Sequence, residues 1–89
     1  MIEEAKKLLK QNKPEQAISV LSKYIEYEDP QSDEAYFVMG NAYRRMEELS
    51  QAMNCYLKAS EINPNSPAKD AYEQTIEILE FYNKDLFNQ

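Results

Sequence analysis

The sequence reads as an all-α chain of about five antiparallel helices, and three observations lead to that reading. Ala, Leu, Glu, Lys and Gln are common, whereas Val and Thr appear only as Val20, Val38 and Thr75, a balance that favours helix over sheet. Apolar residues return at helical spacing in each stretch between turn signals. A pattern of large, small and turn residues from Tyr36 to Pro64 is echoed 35 residues earlier, which marks a repeated helical hairpin.

The first helix is expected over about Ile2 to Gln11, with Ala5, Leu8 and Leu9 on one face. Asn12-Lys13 ends it, and Pro14 occupies a first helical position, where its missing N–H costs nothing. The second helix, about Pro14 to Glu26, carries the stripe Ala17, Ile18, Leu21, Tyr24 and Ile25. Glu28-Asp29-Pro30-Gln31-Ser32 is a loop, and Ser32 or Asp33 can cap the third helix. That helix, about Asp33 to Met46, turns Tyr36, Met39, Gly40 and Tyr43 inward, and the fourth, about Leu49 to Ile62, turns in Ala52, Met53, Tyr56, Leu57 and Ala59. Asn63-Pro64-Asn65-Ser66-Pro67 breaks the chain, with Ser66 as a cap and Pro67 in the first turn of a fifth helix. The fifth bears Ala68, Ala71, Tyr72, Thr75, Ile76, Leu79 and Tyr82 and is expected to end near Asn83, leaving residues 84–89 as a tail.

Composition narrows the function classes. Eighty-nine residues form one small domain, and 43% hydrophobic content is enough for a core. A formal charge of −6 makes nucleic acid and anionic membranes poor partners, since both need a basic face. No run approaches the ~18 apolar residues of a membrane span. The charged start Met1-Ile2-Glu3-Glu4-Ala5-Lys6-Lys7 is unlike a signal peptide, and the lone Cys55 cannot form an internal disulfide, so the expected location is cytoplasmic. The chain has no His and no Gly-rich loop, and its paired carboxylates lie on helix surfaces. An enzyme, a metal site and a cofactor are therefore not expected.

The echo can be followed pair by pair: Ala5 with Gly40, Leu8 with Tyr43, Ala17 with Ala52, Leu21 with Tyr56, and Tyr24 with Ala59. Small residues fall where helices must approach and bulky ones where they interlock. The spacing Tyr36-x2-Met39-Gly40-x2-Tyr43, then Ala52-x3-Tyr56-x2-Ala59, then Pro64, resembles the tetratricopeptide repeat, whose helix–turn–helix unit is about 34 residues long. On this resemblance, residues 1–31 are a degenerate first repeat, 32–66 an intact second repeat, 67–83 a capping helix and 84–89 a tail. Tyr72, Thr75, Ile76 and Leu79 look like a first helix shifted by two residues, with Ile76 in the Gly slot. The ending Phe81–Asn88 also looks like the close of some small bacterial repeat proteins.

The resemblance implies a right-handed superhelix whose concave face binds a peptide or protein segment without chemistry. Carried over slot by slot, it places Lys6, Leu9 and Lys10 of the first helix on that face, with Glu34, Phe37, Asn41, Arg44 and Arg45 of the third. Asp70, Glu73, Glu77 and Glu80 of the fifth complete it. Lys6, Lys10, Phe37, Asn41, Arg44, Glu73 and Glu77 are the candidate groove residues. The bland alternative is a solvated face on which Arg44 and Arg45 pair with acids. The carboxylate clamp of chaperone-tail-binding members is not expected, because its slots hold Ile2, Lys6, Val38 and Glu73 and only Asn41 has the right character.

The aromatic residues Tyr36, Tyr43, Tyr56 and Tyr72 read as packing residues, and Cys55 as an inert thiol in a packed helix. Phe81, Tyr82, Leu86 and Phe87 either close the open end of the last helix or dock into a neighbour as a weak homodimer. The acids Glu26, Glu28, Asp29, Asp33 and Glu34 lack the turn-forming Gly of a calcium loop and read as solvated. The expected function is a protein-interaction module or scaffold. The alternatives are a small homo-oligomeric assembly protein or one piece of a longer array.

Overall fold

Short polar connections leave consecutive helices no choice but antiparallel neighbours, and the computed structural model has that arrangement. It describes the backbone of residues 1–87 and the side chains of residues 1–82. The helices are α1 (Ile2–Lys10), α2 (Pro14–Tyr27), α3 (Asp33–Arg45), α4 (Leu49–Ile62) and α5 (Ala68–Phe87), and no strand occurs among the described residues. Each helix packs on the next, and α1 also meets α3, so the first helices of the two pairs share one face.

The repeat is written into the backbone as well as the side chains. Asn12 and Glu47, 35 residues apart, have φ of 60° and 61°. At the first turn Asn12 N–H donates to the Leu9 carbonyl and Lys13 N–H to that of Leu8. At the second, Glu47 N–H donates to Arg44 and Glu48 N–H to Tyr43. This paired closure satisfies carbonyls that a helix end leaves open, and it requires a left-handed residue. Asn accepts that conformation readily, whereas Glu pays for its Cβ.

The two longer connections use side-chain caps. Ser32 Oγ accepts from Ala35 N–H at 3.1 Å, and Ser66 Oγ accepts from Ala68 N–H at 3.1 Å. Asn63 folds its turn by accepting from Asn65 N–H, and its amide nitrogen donates to Asp33 Oδ2 at 3.0 Å. The end of α4 is thereby tied to the start of α3.

Two core clusters result. One joins Ala5, Leu9, Ala17, Leu21, Ala35, Val38, Met39, Ala42 and Cys55 across α1 to α4. The other joins Ala52, Tyr56, Ala59, Ala68 and Ala71, with Tyr36, Phe37, Tyr43 and Tyr72 packed against it. Tyr56 is fully buried and lies over Gly40, where an added Cβ would come within 2.6 Å of its ring. Glycine at this position lets α3 and α4 close onto a large aromatic residue.

Three expectations need correction. Leu57 is 43% exposed rather than inward, because it lies at the open crevice between α4 and α5 and not between packed helices. The fifth helix does not stop near Asn83 but continues to Phe87, since no Gly or Pro in that stretch breaks it. Phe81 and Tyr82 are 63% and 52% exposed rather than folded over the helix end. The expected roles of Leu86 and Phe87 concern side chains outside the described set, and Asn88 and Gln89 lie outside the described residues.

Candidate functional site

The shared face of α1 and α3 holds an open groove of about 520 Å³. Leu9, Phe37 and Val38 give it an apolar floor, Lys6 and Lys10 a basic side, and Asp33 and Glu34 an acidic one, with Asn41 at one end and Ser66 and Pro67 at another. Helical periodicity explains the set: Glu34, Phe37, Val38 and Asn41 recur at three- and four-residue steps on α3, as do Lys6, Leu9 and Lys10 on α1.

The polar groups are held in place before any ligand arrives. The Tyr56 hydroxyl donates to Asn41 Oδ1 at 2.5 Å, which engages the amide oxygen of a residue that lines the groove and leaves its N–H groups as the remaining donors. Tyr56 also tilts against Phe37, with ring centroids 5.8 Å apart. A buried residue of α4 thus positions both central groove residues of α3. Burial raises the Tyr56 phenol above its ordinary pKa, against the opposing pull of the Arg44 guanidinium, and keeps it a neutral donor.

Lys6 bridges the two helices, 2.9 Å from Glu34 and 3.3 Å from Glu3. The hydrogen bond to Glu34, then that to Glu3, raises its pKa. Lys10 makes no ion pair among the described residues. Arg45 donates to the Leu9 carbonyl, in the last turn of α1, where a cation also suits the helix dipole. Arg44 reaches Gln74 Oε1 at 3.5 Å and shares a shallow depression with Leu9, Asn41 and Arg45 beside the groove. Neither arginine pairs with an acid among the described residues, contrary to the solvated-face alternative: Arg45 meets a carbonyl and Arg44 an amide.

Of the seven sequence-derived groove residues, Lys6, Lys10, Phe37 and Asn41 line one groove and Arg44 adjoins it. Glu73 does not join them. It lines a separate crevice between α4 and α5 with Leu57, Tyr72 and Ile76. Glu77 is exposed one helical turn from Gln74. The cause is the rotation of α5. Buried Ala35, Val38 and Ala42 of α3 correspond to buried Ala68, Ala71 and Thr75 of α5, 33 residues on (35 to 68, 38 to 71, 42 to 75). The expected register, shifted by two residues from a 34-residue repeat, put Tyr72 rather than Lys69 in the place of Tyr36. Small residues of α5 face α4, and that choice carries Glu73 away from the groove. Val38 and Ser66 were not among the residues singled out for the groove. Ser66 enters because its cap brings the start of α5 beside α3.

Cys55 is buried, and burial pushes its thiol up to about 11, so it stays protonated and unreactive at neutral pH. Among the described residues no cluster of three metal-ligating side chains occurs, and no helix is long and apolar enough to cross a membrane.

Comparison with known proteins agrees with this architecture. The tetratricopeptide repeat family model matches residues 33–66. The solution NMR structure of the Bacteroides fragilis protein BF1650 is similar over 100% of this chain and 90% of its own, at 42% identity and a TM-score of 0.87. No curated protein matches. With the signature face of α3 packed on α4 and its spacing intact from Tyr36 to Pro64, the chain belongs to the tetratricopeptide repeat family.

Proposed function

We propose that this protein is a non-catalytic interaction module that holds an extended segment of a partner protein in the groove between α1 and α3. Tetratricopeptide repeats generally act as interaction modules. The observation that carries the finer reading is the fixed Asn41 amide. Its oxygen is taken by Tyr56, which leaves its N–H groups to meet a ligand. A peptide carbonyl is the natural acceptor, Phe37 offers a surface for an apolar side chain, and Lys10 a charge for an acidic one. Ordering these groups in advance reduces the entropy lost on binding, so a few anchors suffice. The working compartment in this reading is the cytoplasm.

The test is affinity capture from the source cell followed by calorimetry with the captured partner's segment. Asn41→Ala combined with Lys10→Glu should weaken binding by roughly tenfold or more, the usual cost of losing a central anchor. Binding at full strength by the double variant, with its fold intact by circular dichroism, removes the groove from the mechanism.

A further inference from the structure

The groove is not the only concave surface. A crevice of about 490 Å³ runs between α4 and α5, lined by Leu57, Lys69, Tyr72, Glu73 and Ile76 among others. The 33-residue correspondence between α3 and α5 gives this crevice a meaning. On α3, Tyr36, Gly40 and Tyr43 form the face that α4 covers. Moved on by 33, those positions become Lys69, Glu73 and Ile76, and Met39 becomes Tyr72. The crevice is thus the berth that α4 occupies on α3, repeated on α5 without a helix in it among the described residues.

We infer that the α4–α5 crevice docks an amphipathic helix of a partner protein, one that sets apolar residues against Leu57, Tyr72 and Ile76 and a Lys or Arg against Glu73. The chemistry follows from the two residues that differ in kind, Lys69 in the place of Tyr36 at one end of the crevice and Glu73 in the place of Gly40 at its middle. On α3, Gly40 admits the Tyr56 ring; on α5 the same place holds the exposed Glu73, which offers a carboxylate instead. Glu77 and Glu80 extend the acidic row at four- and seven-residue steps, on the exposed flank of the apolar stripe. A basic flank on the incoming helix matches that row. A second copy docking α5 on α5 would bring two such rows together, which like charge opposes. This site is separate from the α1–α3 groove and does not depend on the reading proposed for it.

The probe is a synthetic peptide copying residues 48–63, the helix that already fits this kind of berth, with Cys55→Ser against oxidation and Tyr56→Lys to meet Glu73. It is titrated into the isotope-labelled full chain and followed by amide chemical shifts. Saturable shifts are expected at Tyr72, Glu73 and Ile76. A second peptide with Tyr56→Glu should bind about tenfold more weakly, and Glu73→Lys in the protein should reverse that order. Glu73 is exposed, so the variant keeps its fold. Four results overturn the inference: no saturable shift on α5 up to about 1 mM peptide, shifts centred on Phe37 and Asn41, shifts centred on Gly40 that signal exchange with the resident α4, or equal affinity of the two peptides. Sedimentation showing a dimer that the peptide dissociates would assign the crevice to a second copy and overturn the stated occupant.

Discussion

Replacing Gly40 by Ala tests the close contact between α3 and α4. A Cβ at that position would lie 2.6 Å from Tyr56 Cε1 and 2.7 Å from Cδ1. Carbon atoms prefer about 3.5–4.0 Å, so the ring would have to retreat by roughly 1 Å. It has nowhere easy to go. Tyr56 is fully buried, its ring leans on Phe37 and its hydroxyl is bonded to Asn41. Overpacking of this kind costs about 1–3 kcal/mol. The substitution also gains about 1 kcal/mol, because Ala is the better residue inside a helix. The net expectation is a loss of about 1 kcal/mol, which for a domain of this size lowers Tm by about 4–8 °C. Urea and thermal unfolding followed by circular dichroism give both numbers. In a Tyr56→Leu background the clash is removed, and Gly40→Ala should become neutral or stabilising. A higher Tm for Gly40→Ala in the otherwise native chain would refute the argument, since it would mean that the α3–α4 contact has slack.

Three further expectations follow from single residues. Ser32→Ala removes the cap on α3 and should cost about 1 kcal/mol in the same unfolding assay. Glu47→Gly relieves a side chain held at φ 61° and should stabilise the chain by about 1 kcal/mol, whereas Glu47→Ala should not. For Cys55 the folded pKa of about 11 exceeds the ordinary 9.0. Its contribution is therefore fully present below pH 9 and lost as pH rises toward 11, a fall of up to about 3 kcal/mol. Cys55→Ala should flatten the stability curve from pH 9 to 10, below the ordinary values of 10.0 for Tyr56 and 10.5 for Lys6, whose raised pKa values add their own losses higher up.

The sequence alone determined the helices and their breaks, apart from the end of the fifth, and the face of α3 that carries Phe37 and Asn41. Each helix carries its own apolar period, and Pro14, Ser32 and the Asn63–Pro67 run act locally, so no tertiary information is needed to place them. The intact signature from Tyr36 to Pro64 fixed the rotation of α3, and with it Phe37 and Asn41 on the groove. The tertiary structure decided the rotation of α5. Periodicity states which residues share a face but not which neighbour that face meets, and each residue of register turns a helix by about 100°. On α5 the small Ala68, Ala71 and Thr75 pack toward α4, so Glu73 leaves the groove and lines the crevice. Contacts across the stack were equally illegible in the chain. Tyr56 holding Asn41 and Arg45 closing the end of α1 join residues 15 and 36 positions apart, and only folding brings them within reach.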